Sequence, residues 1–177
     1  MSRDETLPME VRGMMKIWSG AEVENLISNG SFEQEGPLPK NFGGGSLVGA
    51  KRRRGDATDG EWSLEVRRAD FDWRIPVQTN KTYMLMLDIK DVKGSAEGRF
   101  NMRLSPCKRG NVPVDHIRSL DNVLPGGVWT TMSLMVKAIG RGSIVENIEV
   151  NLWTKKYEPG ETVLIDNVRL VCLDDLK

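Results

Sequence analysis

Apolar and polar residues alternate at every second position in short stretches that recur through most of this 177-residue chain. In Thr82–Lys90, the side chains of Tyr83, Leu85, Leu87 and Ile89 share one side, and polar or methionine residues lie between them. A period of two is the side-chain period of a β-strand, and one apolar side per strand is typical of antiparallel sheets with one buried face. The pattern therefore predicts a chain built from antiparallel strands.

Runs of this kind are separated by glycine, proline, asparagine and aspartate, which mark turns. The predicted strands are Ser63–Arg68, Asp72–Val77, Thr82–Lys90, Arg99–Leu104, Val128–Val136, Ile148–Trp153 and Thr162–Cys172. Many short strands with no convincing helix between them predict an all-β fold, an antiparallel β-sandwich. Residues 41–59 are rich in Gly and Arg, and we expect a loop or an edge excursion there. Residues 105–127 are weakly patterned, and we expect a long connection.

The N-terminal residues differ from the rest of the chain. Their large apolar side chains are scattered among charges: Met9, Val11, Met14, Met15, Ile17 and Trp18. Four of them, Val11, Met14, Met15 and Trp18, have a weak helical spacing of three, four and seven residues. We predict an arm that packs on something else, such as a neighbouring subunit, since chain termini are loose unless they are held.

The resulting domain prediction has three parts. Residues 1–24 form the N-terminal arm, residues 25–173 the sandwich domain, and residues 174–177 a tail. The sequence has no run of about 18 apolar residues, the length that predicts a membrane span. Its mixed-charge start has no apolar signal-peptide core. We expect neither membrane association nor a secretion signal in this chain.

Composition excludes several classes of function. Lys plus Arg and Asp plus Glu both number 25, so the net charge is zero, which argues against a protein that binds nucleic-acid phosphates. A single histidine excludes mechanisms that need two histidines, and two cysteines cannot form a four-ligand zinc site by themselves. Asp70 and Asp72 are too close together on one segment to flank a glycosidic bond. We therefore predict a non-catalytic protein.

Five motifs, in order along the chain, carry a family resemblance. They are Asn25–Glu33, Gly60–Leu64, Asn80–Tyr83, Trp129–Thr130 and Ile165–Leu170. Together they resemble the jelly-roll carbohydrate-binding modules attached to plant-polysaccharide hydrolases, which have a galactose-binding-like β-sandwich. The resemblance covers roughly residues 25–173, and it implies a jelly-roll fold and glycan binding without catalysis.

The resemblance also implies a structural calcium ion between the first and last strands. In the resembled modules, positions equivalent to Glu33 and Asp166 help to hold that ion, and calcium takes several oxygen ligands. The alternative is that the two carboxylates accept backbone N–H groups at strand ends, since a buried charge needs compensation. The sequence leaves both interpretations open.

The candidate binding face consists of the outward positions of the predicted strands. These are Glu149, Asn151 and Trp153; Arg99, Asn101 and Arg103; Asp72, Arg74 and Pro76; and Met84, Met86 and Asp88. If these strands share a sheet, one face presents an aromatic ring with amides and guanidinium groups, a mixture that suits sugar rings and hydroxyls. The predicted ligand-binding residues are Trp153, Asn151, Arg103, Asn101 and Arg74, with Tyr157 in a nearby turn. Met84 and Met86 suggest instead that protein covers part of this face.

Two functions follow from these observations. The first is a subunit of a larger assembly, such as a decoration or tail-associated protein on a phage virion surface, which contacts other subunits through its arm and retains glycan adhesion. The alternative is a carbohydrate-binding module of a polysaccharide-degrading enzyme. The expected location is the virion surface or the extracellular space.

Overall fold

The computed structural model describes residues 24–34, 42–43, 50–66, 70–92, 99–114, 118–140, 142–155 and 162–176. Within them lie eleven strands: β1 (Phe42–Gly43), β2 (Lys51–Arg54), β3 (Trp62–Val66), β4 (Asp70–Pro76), β5 (Thr82–Asp91), β6 (Arg99–Lys108), β7 (Val112–Pro113), β8 (Arg118–Val123), β9 (Thr130–Lys137), β10 (Asn147–Lys155) and β11 (Val163–Cys172). A 3₁₀ turn, Leu173–Asp175, follows β11. In this part of the chain, no helix has the length and apolar character of a membrane span.

The strands form two sheets. Sheet I has the order β1-β4-β10-β6-β7, with β8 also paired to β6. Sheet II has the order β2-β3-β11-β5-β9. All of these strand pairs are antiparallel. Two antiparallel sheets with one shared core make a β-sandwich, which confirms the predicted fold class.

One hydrophobic core lies between the sheets. Sheet I contributes Trp73, Ile75, Phe100, Met102, Leu104, Ile148, Val150 and Leu152, and sheet II contributes Leu64, Tyr83, Leu85, Leu87, Ile89, Ile165 and Leu170, among others. On β4, β5, β6 and β10 these are alternate residues, so the period of two correctly assigned the buried side. Burial of this apolar area at roughly 25 cal/mol per Å² holds the two layers together.

The opening motif is joined to the last strand. The Leu26 backbone N–H donates to Leu170 O (2.9 Å), and the Val168 N–H donates to Gly30 O (2.9 Å). A side chain at residue 30 cannot be accommodated, because its Cβ would lie 2.0 Å from Val168 O. Asn29 takes the positive φ of the turn (53°), and Phe32 is buried in the core.

The segment predicted as a loop or an edge excursion and the segment predicted as a connection both contain strands. Residues 51–54 form β2, whose four basic residues gave no apolar alternation because β2 lies at the edge of sheet II. Its Arg52 is structural, since Nε and Nη2 donate to Phe32 O (2.7 Å) and Glu33 O (2.8 Å). In residues 105–127, β6 continues to Lys108, and β7 and β8 pair with it.

The candidate binding face requires that its four strands share one sheet, and β5 does not meet this condition. β5 lies in sheet II, whereas β4, β6 and β10 lie together in sheet I. Met84, Met86 and Asp88 therefore do not share a face with the candidate binding residues. The local alternation gives the side of a strand that faces out, but not the sheet to which the strand belongs.

Candidate functional site

Five of the six predicted ligand-binding residues lie on the outer face of sheet I, here called the polar face. β10 is flanked by β4 and β6, so Arg74, Asn151 and Arg103 come from three adjacent strands. Asn151 lies opposite Arg103, and Trp153 lies opposite Asn101. Tyr157 lies outside the described residues.

Glu149 organises the two arginines of the polar face. Its Oε2 atom lies 3.4 Å from Arg74 Nε, and its Oε1 atom lies 3.8 Å from Arg103 Nη2. The Glu149 side chain is 14% exposed, whereas those of Arg74 and Arg103 are 49% and 41% exposed. Glu149 is thus the shared carboxylate partner of two partly exposed guanidinium groups.

The Arg103 side chain also connects Asn151 with Trp153. Its Nε donates to Asn151 Oδ1 at 3.0 Å, and its guanidinium carbon lies 6.0 Å from the centre of the Trp153 ring. Asn151 and Trp153 are both half-buried. The arrangement places a flat apolar ring beside forked hydrogen-bond donors, which are the two kinds of group that a saccharide ring needs.

Several outward positions of β6 beside this row are buried. Asn101 is 3% exposed, and Ser105 and Cys107 are fully buried. Asn101 is therefore better placed to support Trp153, its cross-strand partner, than to bind a ligand directly. Burial raises the pKa of the Cys107 thiol, which keeps it protonated at neutral pH and unsuited to nucleophilic chemistry.

Sequence reasoning placed Glu149 on this face but did not include it among the binding residues. The two contacts that define its role come from Arg74 on β4 and Arg103 on β6. The alternation of apolar and polar residues in β10 could have identified Glu149 as a neighbour of Asn151. Only strand order shows that it lies between two arginines.

The carboxylates of Glu33 and Asp166 accept hydrogen bonds from backbone N–H groups. Glu33 Oε1 accepts from Glu61 N (2.9 Å) and Trp62 N (2.7 Å). Asp166 Oδ2 accepts from Thr58 N (2.7 Å) and Asp59 N (2.9 Å), and its Oδ1 atom accepts from Asn167 N (2.7 Å). This geometry matches the hydrogen-bonding interpretation of the two residues.

The same contacts bear on the predicted calcium ion. Thr58 Oγ1 also lies 3.1 Å from Asp166 Oδ2, so this oxygen has three donors around it and little capacity left for a cation. Among the described residues, no group of three or more acidic, histidine or cysteine side chains is placed to hold a metal. Glu33 and Asp166 as they stand accept backbone donors, and the calcium ion stays a prediction.

A second carboxylate lies beside Asp166, on the outer side of sheet II. Asp88 is its cross-strand neighbour, and its Oδ2 atom accepts from Thr58 Oγ1 (2.7 Å) and Asn167 Nδ2 (3.1 Å). Asp88 Oδ1 accepts from Thr131 Oγ1 at 2.6 Å. Burial raises the pKa of Asp166, although hydrogen bonds from the backbone of Asp59, Thr58 and Asn167 oppose the shift. Both carboxylates of these buried acids accept several hydrogen bonds from neighbouring groups. The cluster therefore stabilises sheet II and does not offer a free carboxylate to a substrate.

A shallow polar cavity of about 300 Å³ lies where the opening segment meets β11. Its lining includes Asn25, Asn29, Glu33, Asp59 and Asn167. One of the two Glu33 carboxylate oxygens, Oε1, already accepts two backbone N–H groups.

Comparisons with known proteins agree on the fold. No protein-family model matches the sequence, and no curated protein matches it. Among solved structures, the CBM22-1 xylan-binding domain of Paenibacillus barcinonensis Xyn10C is similar, with a TM-score of 0.55 and 14% identity. The match covers 85% of this chain and 96% of that domain. The fold is thus that of jelly-roll carbohydrate-binding modules, as the five motifs predicted.

Two further structures show that this fold occurs in other settings. The enzymatically active domain of bacteriophage CBA120 tailspike protein 4 has a TM-score of 0.60 and 16% identity, over 84% of this chain and 21% of that chain. The Stig cyclase Fisc of Fischerella sp. TAU has a TM-score of 0.56 and 17% identity, over 85% of this chain and 97% of that chain. At these identities the similarities establish the fold alone.

Proposed function

We propose that this chain is a non-catalytic β-sandwich module that binds glycans through the polar face of sheet I. The observation that supports this most is the continuous row formed by Trp153, Arg103 and Asn151, with Arg74 beside it. An indole ring packs on the apolar face of a sugar ring, and guanidinium and amide groups bind its hydroxyls. The similar xylan-binding domain supports the proposal, because it pairs this fold with a saccharide ligand.

The preorganisation of Arg103 strengthens the proposal. Glu149 and Asn151 hold its guanidinium group from two sides, at 3.8 Å and 3.0 Å. A donor that is already oriented loses less conformational entropy when it binds a hydroxyl group. The flexible side chain therefore becomes a usable recognition element on the polar face.

The wider setting of the module is also a proposal. We place it in a larger assembly, such as a phage virion surface, where residues 1–24 contact other subunits. The similarity to one part of a much longer tailspike chain supports this setting. The alternative is a carbohydrate-binding module of a polysaccharide-degrading enzyme, which the xylan-binding similarity supports. Both settings are extracellular or on a particle surface, where glycans are present.

Glycan retention tests the binding proposal. The protein would be applied to a glycan array and run through native gels that contain xylan, galactan or other polysaccharides. The decisive variant is Trp153→Ala, and Trp62→Ala in sheet II is its matched control. We expect at least one glycan to be retained, retention to fall at least tenfold in Trp153→Ala, and the control to bind normally. Equal retention by Trp153→Ala and the native chain would exclude the polar face as the site.

Mass measurement tests the assembly proposal separately. Light scattering over a wide concentration range would compare the native protein with the 19.9 kDa of one chain. If the chain belongs to such an assembly, we expect it to self-associate or to bind a second virion component. A protein that stays monomeric and binds glycans would favour the alternative module.

A further inference from the structure

The unused polar atoms of Arg103 and Asn151 on the polar face are all hydrogen-bond donors. Arg103 Nε can only donate, so its 3.0 Å contact fixes the orientation of the Asn151 amide, with Oδ1 as the acceptor. Within the described part of the chain, Asn151 Nδ2 has no hydrogen-bond partner. This pair of side chains therefore offers a ligand N–H donors but no unused acceptor.

The guanidinium group of Arg103 supplies most of these donors. A guanidinium group carries five N–H donors, and Nε donates one of them to Asn151. Nη2 lies 3.8 Å from Glu149 Oε1, an ion-pair contact that is longer than a hydrogen bond. Because the Arg103 side chain is 41% exposed, its remaining donors are accessible to a ligand.

The charges that the structure describes on the polar face are unequal in number. Both oxygens of the Glu149 carboxylate face an arginine, Oε2 toward Arg74 at 3.4 Å and Oε1 toward Arg103 at 3.8 Å. One carboxylate thus serves two guanidinium groups, and Arg103 has the longer contact. A second carboxylate beside Arg103 would balance these charges and supply the acceptors that its donors lack.

The position of Trp153 indicates which kind of molecule carries that carboxylate. The centre of its ring lies 6.0 Å from the Arg103 guanidinium carbon. A sugar ring that stacks on the indole has its substituents at the ring edge, where they can reach Arg103. A uronic acid has a carboxylate at this edge, where a neutral hexose has a hydroxymethyl group. A carboxylate accepts two parallel N–H donors from one guanidinium group, and a hydroxymethyl group cannot.

We propose that the polar face recognises uronic acids in acidic polysaccharides. The sugar ring packs on Trp153, and its carboxylate accepts hydrogen bonds from the Arg103 guanidinium group and from Asn151 Nδ2. Glu149 remains the internal partner of both arginines. This inference rests on the proposed glycan binding and narrows it to one class of saccharide.

The basic edge strand β2 provides the control for simple attraction of a polyanion. Lys51 and Arg53 both pair with Glu65, at 3.1 and 3.3 Å. Arg54 Nη2 lies 2.8 Å from Glu61 Oε2, and the Arg54 side chain is 66% exposed. Arg54 thus resembles Arg103 in exposure and in having an acidic partner, but it lies in the other sheet.

Retention on columns of immobilised polysaccharide tests the inference with matched polymers. The probes are polygalacturonate, polymannuronate and glucuronan, each beside its methyl-esterified form, with xylan and galactan as neutral glycans. Esterification removes the charge and keeps the backbone of the polymer. We expect at least one uronate polymer to be retained at least tenfold more strongly than its ester. This preference should shrink as salt rises from about 0.05 to about 0.5 M, because salt screens exposed charges.

Two variants locate the preference on the protein. Arg103→Gln removes the charge and the fork, and Arg54→Gln makes the same change on β2. We expect Arg103→Gln to lower the ratio of uronate to ester retention at least fivefold and Arg54→Gln to leave it unchanged. The ratio compares two ligands on one preparation, so partial unfolding does not mimic the effect.

The outcomes separate this inference from the proposed function. Equal retention of uronates and their esters overturns the inference, as does a ratio that is unchanged in Arg103→Gln or that falls equally in Arg54→Gln. Retention of neutral glycans alone also overturns it but leaves the proposed function in place. Retention of no glycan at all overturns both.

Discussion

Asp88 and Asp166 are cross-strand neighbours on β5 and β11, and the hydroxyl of Thr58 lies between their carboxylates. Thr58 Oγ1 is 2.7 Å from Asp88 Oδ2 and 3.1 Å from Asp166 Oδ2. Asp88 is 8% exposed and Asp166 is fully buried. One hydroxyl proton serves two buried acids, so the loop that carries Thr58 and the sheet below it are energetically linked.

We predict that Thr58→Val destabilises the fold by about 1–3 kcal/mol, because it removes the hydroxyl donor and leaves buried carboxylate oxygens short of one hydrogen bond. Valine has nearly the same shape, so packing changes little. Chemical denaturation of the variant and the native protein measures the difference. A change below a few tenths of a kcal/mol would show that the shared hydroxyl is not important for stability.

Asp166 gives a pH dependence with a defined sign. Burial raises its folded-state pKa above the ordinary value of 3.8. Between pH 3.8 and the folded-state pKa, the folded state binds more protons than the unfolded state. The contribution of Asp166 to the free energy of unfolding therefore falls as pH rises through this range. We expect the stability advantage of the native protein over Asp166→Asn to be largest below pH 3.8 and to shrink above it. Urea denaturation from pH 3 to 7 measures this advantage, and a constant difference would contradict the assignment.

The stability contribution of Asp56 is expected to change with pH in the opposite direction. Burial tends to raise its pKa, but hydrogen bonds from Lys90 and Trp129 outweigh burial and hold the pKa below 3.8. Lys90 Nζ lies 2.9 and 3.0 Å from the two carboxylate oxygens, and Trp129 Nε1 donates to Oδ1 at 3.0 Å. This stabilisation is present above pH 3.8 and is lost as pH falls through the folded-state pKa. Asp56→Asn should cost about 1–2 kcal/mol at neutral pH and nothing in strong acid. A cost that persists at the lowest pH would contradict this explanation.

Substitution of Gly30 tests the close backbone contact between the opening segment and β11. Its Cβ would lie 2.0 Å from Val168 O, and backbone at that position cannot move without breaking the adjacent hydrogen bond. We expect Gly30→Ala to cost about 3 kcal/mol or more. Gly110→Ala is the control: residue 110 has open space around it and a φ of 79°, so the cost should be about 1 kcal/mol. Thermal denaturation compares the two, and similar losses would show that the close contact is not the cause.

Arg103 tests how the polar face recognises its ligand. Arg103→Lys keeps the charge but removes the planar fork that Glu149 and Asn151 orient. We expect glycan retention to fall at least fivefold with the melting temperature unchanged. Arg54→Lys, on the edge strand of sheet II, is the matched control and should bind normally. If Arg103→Lys binds as well as the native chain, charge alone is sufficient and the fork has no role.

Several structural features followed from local sequence. The alternation in Thr82–Lys90 and Ile148–Trp153 identified their buried sides, because burial of one face imposes a period of two. Tyr83, which lies on the apolar side of Thr82–Lys90, is buried in the core. Trp129 is half-buried, and its indole N–H donates to Asp56. Its polar N–H found a partner outside the core, which alternation does not encode.

Features at the sheet edges were harder to predict. β2 reads Lys-Arg-Arg-Arg and has no buried apolar side, because an edge strand is stabilised by pairing and by its neighbours' acids. Lys51 and Arg53 both pair with Glu65, at 3.1 and 3.3 Å. Such contacts depend on register with β3, which no local pattern in residues 51–54 reveals.

The amino-acid sequence by itself determined the fold class, the inner and outer sides of the main strands, and the motifs that join the first segment to the last strand. Tertiary structure alone decided which outward side chains are neighbours. Arg74 and Glu149 are 75 residues apart in the chain and in contact across β4 and β10. β5 has the same alternation as those strands and lies in the other sheet. Alternation is a local consequence of burying one face, whereas strand order is set by the packing of the whole sandwich.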